Sequence, residues 1–284
     1  MAELSILQVA LLAAIQGFAE LLPVSSSAHV ITAEKLMGLD PTAPEMTLLL
    51  VMLHTGTMFA VIVYFWKAWR QAYFSSAAVL RQTITYLVVA TAATGVVGLG
   101  LQALIKYQFA ADASKFEIEQ LFGNATLMAV ALAAAGVLII VSSRLKEREG
   151  ALSLQSAAVI GGVQGLCLPF RGFSRSGATI STGLVAGVAR KRAEEFSFAL
   201  VVVLTPAVIV KEVLRVLHAR AELPVGQAQH MTHLLGPSLA GMVLSFGAGL
   251  LALRWLSSWL EAGRWHLFGA YCLLASVLVY WQGA

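Results

Sequence analysis

Six stretches of about twenty predominantly apolar residues follow one another along the chain, and that length is what a helix needs to cross about 30 Å of hydrocarbon. They cover 45–66, 84–105, 123–143, 195–217, 235–255 and 265–281. Lipid offers no partner to a backbone N–H or C=O, so these stretches must close their hydrogen bonds internally, as helices. The fold class this dictates is an all-α polytopic membrane protein. Composition agrees: 58% of the 284 residues are hydrophobic and 12% charged, with a mean hydropathy of +0.80, whereas an ordinary soluble domain carries about 25% charge.

Two segments break the pattern. "IQGFAELLPVSSSAHVI" (15–31) and "VQGLCLPFRGFSRSGATI" (163–180) each read Gln-Gly, a proline, a serine cluster and a return to apolar residues. Downstream, "EMTLLLVMLHTGTMFAVIVYF" from Glu45 parallels "EFSFALVVVLTPAVIVKEV" from Glu195 at nearly the same offset. The chain therefore reads as a single membrane domain, 1–284, built of two repeats, 1–148 and 149–284, each a polar hairpin followed by three spans. An odd number of crossings turns the second copy upside down, which is the inverted-topology design. Pro23 and Pro169 interrupt the helical ladder, and irregular backbone at membrane depth survives only where protein or a watery cavity surrounds it. The expectation is six transmembrane helices plus two re-entrant helical hairpins.

Charge placement gives an orientation. Lys67, Arg70, Arg81, Arg144, Lys146, Arg148, Arg190, Lys191, Arg192, Arg254 and Arg264, eleven of the nineteen basic residues, fall in connections that share one side. The positive-inside bias makes that side cytoplasmic, opens the first hairpin to the outer face and leaves both termini outside. Glu3 is the only charge in the first nineteen residues, so a cleavable signal peptide, which needs a basic leader, is not expected. Cys167 and Cys272 stand far apart in apolar stretches and read as packing residues. The net charge of +4 matters less than its placement, and nucleic acid is not an expected partner.

The polar hairpins hold the chemistry. Gln16 and Glu20, four apart, share one face of a helix ending before Pro23. Ser26 and His29, three apart and flanked by Ser25 and Ser27, put a hydroxyl within reach of an imidazole if that segment turns helically. In the second hairpin Ser174, Arg175, Ser176, Gly177 and Thr179 group hydroxyls around a guanidinium, whose planar fork matches phosphate oxygens. A helix start adds backbone donors for an anion, and glycine permits close approach. A charge at membrane depth costs about 2.5 kcal/mol or more, which marks Glu20 and Arg175 as functional. Arg171 either adds positive charge to the same pocket or snorkels toward the membrane face. His54, inside a span, is a further candidate lining residue, whereas His218, His230 and His233 read as a solvated connection rather than a metal site. "GVVGLG" and "GGVQG" read as helix-packing surfaces. A carboxylate, a hydroxyl, an imidazole and a guanidinium together suit phosphoryl transfer, where catalysis is mostly positioning and charge stabilisation.

"QGFAELLPVSSSAH" and "RGFSRSGATIS" resemble the two signature motifs of the undecaprenyl pyrophosphate phosphatase family, the bacitracin-resistance type, and the resemblance covers essentially the whole chain. It implies hydrolysis of undecaprenyl pyrophosphate to undecaprenyl phosphate and phosphate in the bacterial inner membrane, with the active site toward the periplasmic face. That recycles the lipid carrier for peptidoglycan and confers bacitracin resistance. It also implies a divalent cation, Mg²⁺ or Ca²⁺. Carried over, the family's glutamate falls on Glu20, its serine on Ser26, its histidine on His29 and its arginine on Arg175. Glu20 with Gln16 is the implied metal pair, and Ser25, Ser27, Ser174, Ser176, Gly177, Thr179, Arg171 and His54 are the expected substrate contacts.

The chain departs from the family pattern in three places. Gln16 stands where a glutamate is common, and an amide oxygen can ligate a metal but cannot act as a base. Arg171-Gly172 replaces Pro-Gly, and His54 replaces a frequent glutamine. The residues leave two routes open, attack by Ser26 with His29 as base or direct attack by water. A transporter or flippase of a polyprenyl-phosphate lipid or another anion is the alternative function, since broken inverted hairpins also build transporters. The partners expected are a polyprenyl pyrophosphate lipid and the bilayer, with a homodimer left open.

Overall fold

The structure, a computed structural model, describes residues 5–40, 44–109, 124–222 and 235–283. These hold α1 (Ile6–Leu21), α2 (Ser26–Leu36), α3 (Pro44–Tyr73), α4 (Ala77–Phe109) and α5 (Ala125–Ser143), then α6 (Leu154–Leu166), α7 (Arg175–Val185), α8 (Arg190–Glu222), α9 (Leu235–Glu261) and α10 (Trp265–Gly283). No strand occurs among the described residues; Gly150 and Val188 form an isolated parallel bridge.

Every expected span lies on a helix, α3 to α5 and α8 to α10, although residue 123 is outside the described set. Met46–Tyr73, Ala77–Gln108, Ala125–Ser143 and Leu235–Glu261 are long and apolar enough to cross a membrane. The chain is therefore a multi-pass membrane protein. The helices overshoot the expected limits: α3 continues past Trp66 to Tyr73. A fall in hydropathy marks the edge of the hydrocarbon, but Lys67, Ala68, Arg70 and Gln71 are good helix formers and carry the helix on into the interface.

Helix lengths run 16, 11, 30, 33 and 19 residues in the first half and 13, 11, 33, 27 and 19 in the second. Each half thus opens with a pair of short helices around a proline. α1 ends at Leu21 because Pro23 lacks an N–H and disfavours helical backbone at Leu22. α6 ends at Leu166 before Pro169.

Residues cluster into two compact units. One comprises Met1–Leu21, His29–Phe65 and Val201–Trp255, the other Leu22–Ala28, Trp66–Leu200 and Leu256–Ala284. In the first, Val9, Leu12, Ala13, Val30, Ala33, Met46, Leu49 and Leu53 form a core. α1 and α3 approach α9 through small residues: a Cβ on Gly17 would meet Ser245 O at 2.8 Å, and Ser245 Oγ donates to Leu53 O at 2.9 Å.

In the second unit α5 packs on α10 and α4 on α6. Gly136 and Gly269 face each other, and a Cβ on Gly136 would meet Gly269 O at 2.9 Å. Gly161 abuts the Ala90 backbone, and a Cβ on Gly165 would lie 2.9 Å from Gly98 N, so "GVVGLG" and "GGVQG" do form the packing surface expected of them. Thr94 Oγ1 donates to Gly161 O (2.8 Å) and accepts from Gln164 Nε2 (3.1 Å), closing the contact with polar bonds that lipid cannot compete for. Trp265 Nε1 lies 3.2 Å from Ser142 Oγ and 3.1 Å from Ser181 Oγ. Cys272 is buried with its sulfur 3.1 Å from Pro23 O, and Cys167 caps α6; both serve packing.

Candidate active site

α1 places Gln16 and Glu20 one turn apart, and Gln16 Nε2 donates to Glu20 Oε2 at 3.4 Å. α3 brings His54 to the same oxygen, with His54 Nε2 3.7 Å from Glu20 Oε2. The ring is held from behind: His54 Nδ1 is 2.8 Å from the carbonyl of Leu50, one turn earlier. A carbonyl only accepts, so Nδ1 carries the hydrogen. The His54 and Glu20 side chains are 35% and 15% exposed, open enough to be reached.

Between α1 and α2 the chain turns within four residues. Val24 N donates to Leu22 O at 2.8 Å. Ser25 has φ 66, the left-handed region that a residue with a Cβ seldom occupies, and strain of that kind collects at functional sites. It is buried, and it reverses the chain so that α2 restarts at Ser26. Ser26 and Ser27 then lie in the first turn of α2, half-buried, where the N–H groups of a helix start favour an anion. His29, also half-buried, follows one turn after Ser26 on the same helix face.

The second hairpin restarts in a similar way. Ser174 caps α7 by accepting from Gly177 N at 3.3 Å, and Arg175 is the first residue of the helix, half-buried. Gly172, at φ 105, needs the freedom glycine has, because a Cβ there would also strike Met128 O. The first turn meets the start of α7: Ser176 Oγ donates to Leu22 O at 3.2 Å, and a Cβ on Gly177 would meet Pro23 Cβ at 3.2 Å. The serine-bearing turn at 22–28 and the Ser174-Arg175-Ser176 run are thus packed together. Glu20 and His29 flank that turn in the chain.

The expected site residues take unequal places. Glu20, Gln16 and His54 converge on one carboxylate oxygen. Thr179 is fully buried, with its hydroxyl 2.8 Å from Arg175 O and 2.6 Å from Ser197 Oγ, so it ties α7 to α8. Ser174 and Ser176 are also buried, and their hydroxyls serve the cap and the Leu22 carbonyl. Arg171 is exposed. Two features escaped the sequence reading: the left-handed backbone at Ser25, and the Leu50 carbonyl that sets the His54 ring, although their i, i+4 spacing was available as a signal. Of the three histidines of the polar connection, His230 and His233 lie outside the described residues, and His218 is described only as part of α8.

Long apolar helices and two proline-broken hairpins, one bearing a carboxylate and serines and the other a guanidinium at a helix start, define a polytopic membrane protein. The family model of the bacitracin resistance protein BacA matches residues 9–278, and the chain belongs to that family. It is 64% identical to undecaprenyl-diphosphatase 2 of Acinetobacter baylyi over 97% of both chains. It is 33% identical to undecaprenyl-diphosphatase 2 of Burkholderia orbicola, over 94% of this chain and 92% of that one, and 31% identical to the undecaprenyl-diphosphatase of Rhodopirellula baltica over 96% of each.

Proposed function

We propose that the chain is an undecaprenyl-diphosphatase, which hydrolyses undecaprenyl pyrophosphate to undecaprenyl phosphate and inorganic phosphate. The observation that supports this is the packing of Leu22 and Pro23, which lead into the serine cluster of one hairpin, on the arginine-bearing helix start of the other. Near-full-length identity of 64% to a protein of that name supports the same reaction.

Arg175 holds the terminal phosphoryl group through its fork of donors, helped by the N–H groups that begin α2 and α7. Ser26 Oγ attacks the terminal phosphorus while its proton passes to His29. The bond from that phosphorus to the bridging oxygen breaks, and undecaprenyl phosphate leaves. Water then attacks the phosphoserine phosphorus, the Oγ–P bond breaks, the leaving Ser26 Oγ takes its proton back from His29, and phosphate departs carrying the hydrogens of the water.

The residues present fit a divalent cation completed by substrate. Among the described residues no group of three or more His, Cys, Asp and Glu is assembled, but one carboxylate plus substrate phosphates is a common Mg²⁺ arrangement. Glu20 with Gln16 would hold the cation, which when bound would neutralise pyrophosphate charge. The membrane is the bacterial inner membrane, with the first hairpin opening to the outer face, as the basic connections favour. Recycled carrier then serves peptidoglycan synthesis and underlies bacitracin resistance.

Purified protein in detergent, given undecaprenyl pyrophosphate and Mg²⁺, should release phosphate. Absence of release under every cation tried, with lipid movement in vesicles instead, would replace the hydrolase by a transporter.

A further inference from the structure

We infer that Glu20 and His54 form a mixed oxygen–nitrogen seat for a divalent first-row cation, with His54 Nε2 as a direct ligand that sets which cation serves the site. The inference rests on the hydrolase reading only in taking Glu20 as a metal carboxylate.

The ring geometry leads there. With the hydrogen on Nδ1 committed to Leu50 O at 2.8 Å, a neutral His54 turns the lone pair of Nε2 toward Glu20 Oε2, itself a Lewis base, 3.7 Å away. That separation exceeds the roughly 2.7 to 3.2 Å of an N–H···O bond. Two facing bases are drawn together by a cation that both can ligate, or by a proton on Nε2. Two ligands of one cation, each at about 2.1 Å, stand roughly 3.0 to 3.5 Å apart, so the pair has to close by only a few tenths of an ångström. Metal-bound histidines almost always donate their second N–H to a carboxylate or a backbone carbonyl, and Leu50 O already accepts it.

Gln16 completes the seat. Its amide lies 3.4 Å from the same Glu20 oxygen, a long contact for a donor. A half-turn of the amide group exchanges Nε2 for Oε1, an oxygen ligand in the same place. One carboxylate, one imidazole and one amide form a poor cage for Ca²⁺, which takes six to eight oxygens, and a suitable partial shell for a first-row ion that accepts imidazole. The ligands come from α1 and α3, both well-packed helices of one compact unit.

Mn²⁺ alone, added to the full-length protein in detergent, tests this by pulsed electron paramagnetic resonance. Wild type should show ¹⁴N coupling from an imidazole. His54→Gln should lose the coupling and bind Mn²⁺ about tenfold or more weakly, while Ca²⁺ affinity changes little. A wild-type Mn²⁺ spectrum without nitrogen coupling overturns the proposal and leaves the pair an imidazolium–carboxylate contact. Coupling that persists in His54→Gln, or no Mn²⁺ binding by wild type, overturns it as well. The wild-type spectrum decides even if a variant misfolds. Phosphate release from the same preparation separates the two readings: intact hydrolysis with a nitrogen-free spectrum removes only the His54 ligand.

Discussion

In the first hairpin α1 ends two residues before Pro23 and α2 restarts at Ser26; in the second, α6 ends three residues before Pro169 and α7 restarts at Arg175, after a connection twice as long. Each carries a Gln-Gly pair before its proline, yet the two glutamines have parted. Gln16 meets Glu20, whereas Gln164 donates to Thr94 Oγ1 and fastens α6 to α4. The first hairpin carries Glu20 and His29, and the second carries Arg171 and Arg175. Two segments with the same short sequence pattern thus use its glutamine differently, one toward a carboxylate and one toward a helix contact.

The sharpest way to break this comparison is at the residues that restart the second helix of each hairpin. Ser26→Ala should lower turnover by about a thousandfold or more, and rapid quenching of wild type should yield a phosphorylated peptide containing Ser26. Substantial turnover by Ser26→Ala, with no such peptide, would move the nucleophile to water. Arg175→Lys keeps the charge and loses the fork, so kcat/KM should fall by about a hundredfold in an otherwise normally inserting protein. Near wild-type rates would show that the second hairpin is scaffold.

Exchanging the glutamines' surroundings sharpens the contrast. Glu20→Gln should cost about as much as Arg175→Lys in a Mg²⁺ titration of activity, because no second carboxylate meets the substrate from α1. Gln16→Glu should keep most activity and shift half-saturation to lower Mg²⁺. If Glu20→Gln is unaffected across the titration, the carboxylate has no part in the reaction. The smallest effect belongs to the packing partner. Thr94→Val strands the Gln164 amide and should cost about 1 to 3 kcal/mol, read as a lower midpoint of thermal unfolding with kcat little changed; a fall in kcat alone would give Gln164 a role in the site.

Spans and broken helices were legible because each is written in neighbouring residues: runs of apolar side chains and a proline. The Gln16–Glu20 contact was legible as i, i+4 spacing on one helix face. The His54 contact with Glu20 was not, because 34 positions separate them and only the packing of α1 and α3 sets which faces meet. Thr179 read as a phosphate ligand by proximity to Arg175, but its place on α7 turns the hydroxyl to Ser197. Ser25 was read for its side chain, whereas the structure shows its backbone to be the unusual part.

The left-handed Ser25 also limits how this enzyme can drift. Most side chains pay roughly 1 to 2 kcal/mol for that backbone, while glycine escapes the penalty and asparagine and aspartate tolerate it best. A saturation library at this one position, selected only for survival under bacitracin, should therefore return serine, glycine, asparagine and aspartate, and discard valine, isoleucine and threonine. Threonine is the telling loss, since it keeps a hydroxyl.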